Sequence, residues 1–179
     1  MNTKNLAMTA VMAALMAVAG MALRWVSPAL VPFSILPLLV YIAGMVLGPR
    51  YGALSMVVYI LLGLFGLPVY ATAPFAGIGY IMKPTFGFLI GYIFAAYAAG
   101  LIYKPGSLVR AFVAALGGVV VIYAFGLIYF YGLFNWVLNK PMSITTVIAM
   151  GFTPYIVMDL IKAVVAAIVG NEVVRRRAQ

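Results

Sequence analysis

The chain is divided into apolar runs about as long as a bilayer is thick, with most of its charge held at their ends. A membrane-spanning helix needs about 20 predominantly apolar residues. Six segments meet or approach that pattern: 5–23, 32–47, 51–67, 85–103, 108–131 and 154–174. Hydrophobic residues make up 67% of the 179 and charged residues 7%, against roughly 25% charged in soluble domains. The expected fold is therefore an all-α membrane protein with six transmembrane helices, forming a single membrane-embedded domain over residues 1–179. No cleavable signal peptide is expected, because Lys4 is followed by an apolar run too long for one.

The breaks between runs carry their own chemistry. Gly48, Pro49 and Arg50 form a tight turn. Lys104, Pro105, Gly106 and Ser107 form another, with Ser107 placed to cap the next helix. Asn135, Asn139, Lys140 and Pro141 interrupt the apolar pattern, so 132–152 reads as a loop holding a short re-entrant or interfacial helix near 144–150. Thr153 and Pro154 read as an N-cap and first helical residue, which starts the last helix at Pro154.

Positive charge sets orientation in membrane proteins. With both termini cytoplasmic, the inner side carries Lys4, Arg50, Lys104, Arg110 and Arg175 to Arg177, and the outer side only Arg24, Lys83 and Lys140. These residues explain the net charge of +9 without nucleic acid, as topology signals and contacts to the anionic lipid bilayer. There is no cysteine, so no disulfide, and no histidine. Two acidic residues in the whole chain leave no basis for a metal site, and no catalytic constellation or Walker A pattern occurs. The expected protein is not an enzyme and holds no cofactor.

Those two acids are Asp159 and Glu172. Asp159 lies inside the apolar run 155–169, three residues before Lys162. Positions i and i+3 share a helix face, so the side chains can meet. Ionisable groups inside a membrane are costly and mark ligand or ion paths. In the cytoplasmic-termini orientation Asp159 lies roughly 8 Å and Lys162 roughly 12 Å below the outer end of the last helix. A purely structural ion pair is the plainer alternative, but buried pairs gain little over apolar packing. The Gly/Pro-rich loop 68–84 lies on the same side and offers Gly77, Gly79, Phe75, Tyr80 and Lys83. The glycines let backbone N–H groups approach a ligand, and Phe75, Tyr80 and Tyr155 supply flat walls. On the first helix, Ala10 and Ala14 form a small-xxx-small pair, which lets another helix approach closely.

Several stretches together resemble the BioY family, the biotin-specific S components of energy-coupling factor (ECF) transporters. They are LAMTAVMAAL at 6–15, VPF at 31–33, AGMVLGPRYGALS at 43–55, LLGLFGLPV at 61–69, GIGY at 77–80, PTFGFLIG at 84–91 and DLIK at 159–162. They follow the family's order and are spread over most of the chain except 104–152. The resemblance implies the S-component fold in a prokaryotic plasma membrane, with biotin bound from the exterior as the transported ligand. It implies that Asp159 and Lys162 line the pocket. It also implies that Ala10 and Ala14 dock on a transmembrane T component driven by two cytosolic ATPase subunits. Biotin's ureido group, with two N–H donors and a carbonyl, suits an acid beside an ammonium, and Lys83 is a candidate partner for its carboxylate. The chain departs from the family pattern at 71–75 (ATAPF) and 83–87 (KPTFG), at the pocket mouth. Lipoate or a biotin precursor is therefore a related alternative, and a proton-coupled secondary transporter using Asp159 is an alternative of another class.

Overall fold

In the computed structural model, which describes residues 3–25 and 34–177, the apolar runs form helices. α1 spans Thr3–Ala22, α2 Leu36–Leu64, α3 Phe86–Ile102, α4 Leu108–Gly132, α5 Ile144–Gly151 and α6 Ile156–Arg177. Short 3₁₀ turns occupy Leu23–Trp25 and Ile78–Met82, and a π turn extends α4 over Leu133–Val137. The VPF sequence and the expected start of the second span at Pro32 fall outside the described residues.

α2 is a hairpin of two helices. Gly48 has φ 77° and ψ 175°, a backbone region that only glycine occupies readily. In a straight helix Gly44 and Gly52 would stand about 12 Å apart. Instead, a Cβ added to Gly52 would lie 2.9 Å from the Cα of Gly44. The arms 36–47 and 49–64 thus run back alongside each other, and the end of α3 closes on the bend where Gly100 meets Pro49. Divided at Gly48, the helices account for all six segments read from the sequence. By length and composition α1 and α4 with its π turn reach span length as single helices, and α5 with α6 forms a further unit bent by 50°, whereas the two arms of α2 are each shorter. α3 is shorter, at 17 residues.

Each helix buries one stripe. On α1 it is Thr9, Met12, Ala13, Met16, Ala17 and Gly20, the i, i+3, i+4 spacing of a single face. On α6 it is Asp159, Lys162, Ala163, Ala166, Ala167 and Gly170. The charged pair therefore sits on the inward stripe, among alanines that let α6 lie close to α2 and α4. The opposite faces expose Val11 and Val18 on α1, Val120 and Ile128 on α4, and Val157 and Ile168 on α6. An apolar exterior of this extent suits hydrocarbon rather than water.

The caps divide. Ser107 Oγ accepts from Arg110 N at 3.2 Å, as expected. The last helix begins at Ile156, not Pro154, and Thr153 is not its cap. The Thr153 hydroxyl instead donates back to the Ile148 carbonyl at 3.4 Å, and Tyr155 N and Ile156 N both donate to Phe152 O. These bonds tie the turn to the end of α5 and set its bend. The 132–152 stretch is more ordered than a loop. Asn135 donates to the carbonyls of Tyr131 and Met142 and accepts from Met142 N. That clip brings the chain back so that Ser143, accepting from Thr146 N, can cap α5.

Candidate functional site

Five helices and one loop enclose a cavity of about 200 Å³. Leu36, Pro37 and Tyr59 come from the two arms of α2, and Phe88, Leu89 and Tyr92 from α3. Ile122 and Tyr123 belong to α4, Met150 and Gly151 to α5, and Asp159 and Lys162 to α6. Ala71, Thr72, Tyr80 and Thr85 line it from the loop between α2 and α3. The lining is mostly apolar and aromatic, with its two charged groups on α6.

The polar cluster is closely knit. Lys162 Nζ stands 2.7 Å from Asp159 Oδ1, and the Tyr123 hydroxyl donates to Asp159 Oδ2 at 2.6 Å. Asp159 and Lys162 are 7% and 8% exposed, so the pair is withdrawn from bulk solvent and its attraction is weakly screened. Both carboxylate oxygens already accept one bond, yet each has a further acceptor position. The ammonium has three donors. Tyr123 is itself held edge-on between Phe88 and Phe152. The cluster can therefore accept N–H bonds and donate to a carbonyl at one end of an apolar chamber. Among the described residues no three His, Cys, Asp or Glu side chains gather as a metal site.

Of the residues singled out from the sequence, Asp159, Lys162, Tyr80 and Tyr155 border the cavity. The Tyr80 hydroxyl bonds to the hydroxyls of Thr72 and Thr85, and its ring lies 4.1 Å from that of Tyr70. Phe75, Gly77, Gly79 and Lys83 do not border it. Gly77 N donates to Gly63 O at 2.7 Å, pinning the loop to α2. Phe75 lies under the guanidinium of Arg24, 4.6 Å from ring centre. Lys83 is exposed. Ala10 and Ala14 lie on the exposed face of α1, whereas Ala13 and Ala17 are buried against α2. Sequence reading missed Tyr123, Tyr59 and Tyr92. The chain has 12 tyrosines, and nothing local to these three separates them from the rest.

A family model described as the BioY family matches residues 1–179. The chain belongs to the BioY family. It is 39% identical over 173 residues to a probable biotin transporter BioY of Lysinibacillus sphaericus, covering 95% of this chain and 86% of that one. A biotin transporter BioY of Thermotoga maritima is 37% identical, over 81% of this chain and 83% of the relative. Another BioY, of Rhizobium etli, is 36% identical over 97% and 94%. Among solved structures, the S component for biotin from an ECF-type ABC transporter superposes with a TM-score of 0.75. That match covers 99% of this chain and 92% of the other at 23% identity. The BioY chain thus has the S-component fold and is a multi-pass membrane protein of the prokaryotic plasma membrane.

Proposed function

We propose that this chain is the substrate-binding S component of an ECF-type importer and that its cavity binds biotin. The observation that carries the reading is the Asp159–Lys162–Tyr123 cluster at one end of an apolar chamber, in a member of the BioY family. Asp159 accepts the ureido N–H groups, and Lys162 donates to the ureido carbonyl. Tyr123 fixes the carboxylate. Tyr80, Tyr155 and Phe88 provide the walls for the thioether ring. The protein is a binding subunit and not an enzyme, and biotin is its cargo rather than a cofactor.

The ligand enters from the exterior past the 71–85 loop, with both termini in the cytoplasm, and the whole chain acts as one binding domain. Energy comes from a transmembrane T component and two cytosolic ATPase subunits. Ala10 and Ala14, on the exposed face of α1, form the docking stripe for the T component. Lipoate fits less well, since it has no ureido group to satisfy both members of the pair. A proton-coupled carrier is disfavoured by the site itself. Asp159 is already engaged by an ammonium and a phenol, and the sequence has no histidine and one other acidic residue from which to build a proton relay.

Direct titration of biotin into the purified, detergent-solubilised chain tests the reading. Saturable binding without ATP is expected, with loss in Asp159→Asn and Lys162→Ala. No binding by folded wild-type protein would remove biotin as the ligand.

A further inference from the structure

Tyr92 stands with Phe88 and Leu89 on the face of α3 that lines the cavity. It is 7% exposed, yet its hydroxyl has no hydrogen-bond partner among the described residues. Buried tyrosine hydroxyls usually find one, because taking a hydroxyl out of water without a bond is costly. Tyr59, Tyr80 and Tyr123 line the same cavity, and each is bonded to the protein: at the Val69 carbonyl, at two threonine hydroxyls and at Asp159. Among the described residues the one fully enclosed side-chain atom without a partner is Nη2 of Arg24. The Tyr92 oxygen is thus not sealed in protein, and it opens on the chamber that the residue lines. Its partner is whatever fills that chamber.

The depth of Tyr92 says which ligand atom it meets. α3 and α6 run in the same direction, since one spanning helix, α4, separates them in the chain. Tyr92 lies six residues past Phe86, the first of α3, and Lys162 six past Ile156, the first of α6. Each is therefore about 9 Å along its helix at 1.5 Å per residue. The phenol and the ammonium stand level on two walls of one cavity of about 200 Å³, and the phenol is near enough to Asp159 to feel its charge.

We infer that Tyr92 is a second donor to the ureido carbonyl of biotin, completing the subsite that Lys162 begins. The inference rests on the biotin reading above. A carbonyl oxygen has two lone pairs, so Lys162 donates to one and the Tyr92 hydroxyl to the other. Two donors on the oxygen draw electron density from the ureido N–H groups, which strengthens their bonds to Asp159. Tyr92 then selects for a urea oxygen at this end of the ligand, because a ligand without it leaves the buried hydroxyl unserved.

The test titrates four probes into full-length wild type and Tyr92→Phe. They are biotin; 2-thiobiotin, whose sulfur replaces the ureido oxygen and accepts more weakly; desthiobiotin, which lacks the thioether; and biotinamide, which lacks the carboxylate. Tyr92→Phe should lose roughly three- to tenfold in affinity for biotin, desthiobiotin and biotinamide alike, the worth of one neutral hydrogen bond. For 2-thiobiotin the loss should be much smaller. The unfolding midpoint of the free protein should not fall, because no bond within the protein is removed. An equal loss for 2-thiobiotin marks a packing role and overturns the assignment. So does a loss confined to probes with a carboxylate or with a thioether, a fall in the free protein's midpoint, or no loss at all; each leaves the biotin reading standing. Failure of folded wild type to bind biotin overturns that reading, and this assignment with it.

Discussion

Asp159 and Lys162 cannot be judged singly, because each is the reason the other is tolerated. Removing one leaves a buried charge without its partner, a loss of about 3–5 kcal/mol where such pairs have been broken. Replacing both with apolar residues of similar volume removes the charges together and is often neutral. Asp159→Leu alone should therefore lower the thermal unfolding midpoint sharply, while Asp159→Leu with Lys162→Met should restore most of it. Neither variant should bind biotin. A double variant that stays as unstable as the single one would mean that the pair is needed for folding beyond its charge balance. Tyr123→Phe asks a subtler question. It removes one donor from Asp159 Oδ2 and leaves the edge-on packing against Phe88 and Phe152. The unfolding free energy should fall by about 1.5–3 kcal/mol, the worth of a hydrogen bond to a charged group, and biotin affinity should fall about tenfold as Asp159 loses the bond that fixes it. Calorimetric titration and a melting curve on one sample decide it. Asp159 and Lys162 were legible in the sequence because charge inside an apolar run is rare. Tyr123 was not, since it is 36 residues from Asp159 and nothing in its own segment announces the meeting.

At the scale of elements, hydrophobic runs and turn residues foretold most of the helices, and the misses share one cause. Gly48 and Pro49 sit at a bend the sequence announced. Thr153 and Pro154 make an equally good start signal, yet the helix begins at Ile156, because the tie to Ile148 and the 152–155 turn satisfy those groups from α5. The Asn135 clip on Met142 likewise joins residues across a turn whose path no periodicity specifies. Local signals were overruled wherever a partner arrived from a neighbouring element. The hairpin in α2 gives a prediction of this scale. Gly48 has φ 77° and ψ 175°, so a side chain there is strained by about 1–3 kcal/mol. No neighbour would meet an added Cβ, so the strain is in the backbone alone. Gly48→Ala should lower the unfolding free energy by that amount, with a lower unfolding midpoint, and it should weaken biotin binding because Pro37 and Tyr59 reach the cavity from opposite sides of the bend. An unfolding midpoint equal to wild type would show that the two arms meet in some other way.

For the whole molecule, the question is how the binding chamber would be coupled to the ATPases of the proposed importer. In that reading α1 is the element that docks on the T component. Its main helix partner is α2, and its buried stripe of Met12, Ala13, Met16 and Ala17 is already used inside the molecule. Ala10 and Ala14 lie one turn apart on the other face, exposed beside Val11 and Val18. Without a hydrophobic drive between helices in lipid, close backbone approach over small residues is what holds them together. A tryptophan at Ala14 would hold a partner helix away without entering the core. It lies on the opposite face from the residues that pack on α2, and neither alanine borders the biotin cavity. Ala14→Trp should thus leave biotin affinity and the unfolding midpoint as they are. It should abolish co-purification of the T component, and with it ATP-dependent biotin uptake into vesicles. Loss of biotin binding in the same variant would place Ala14 in the structural core of the S component. Uptake at the wild-type rate would move the docking surface to another face of the bundle.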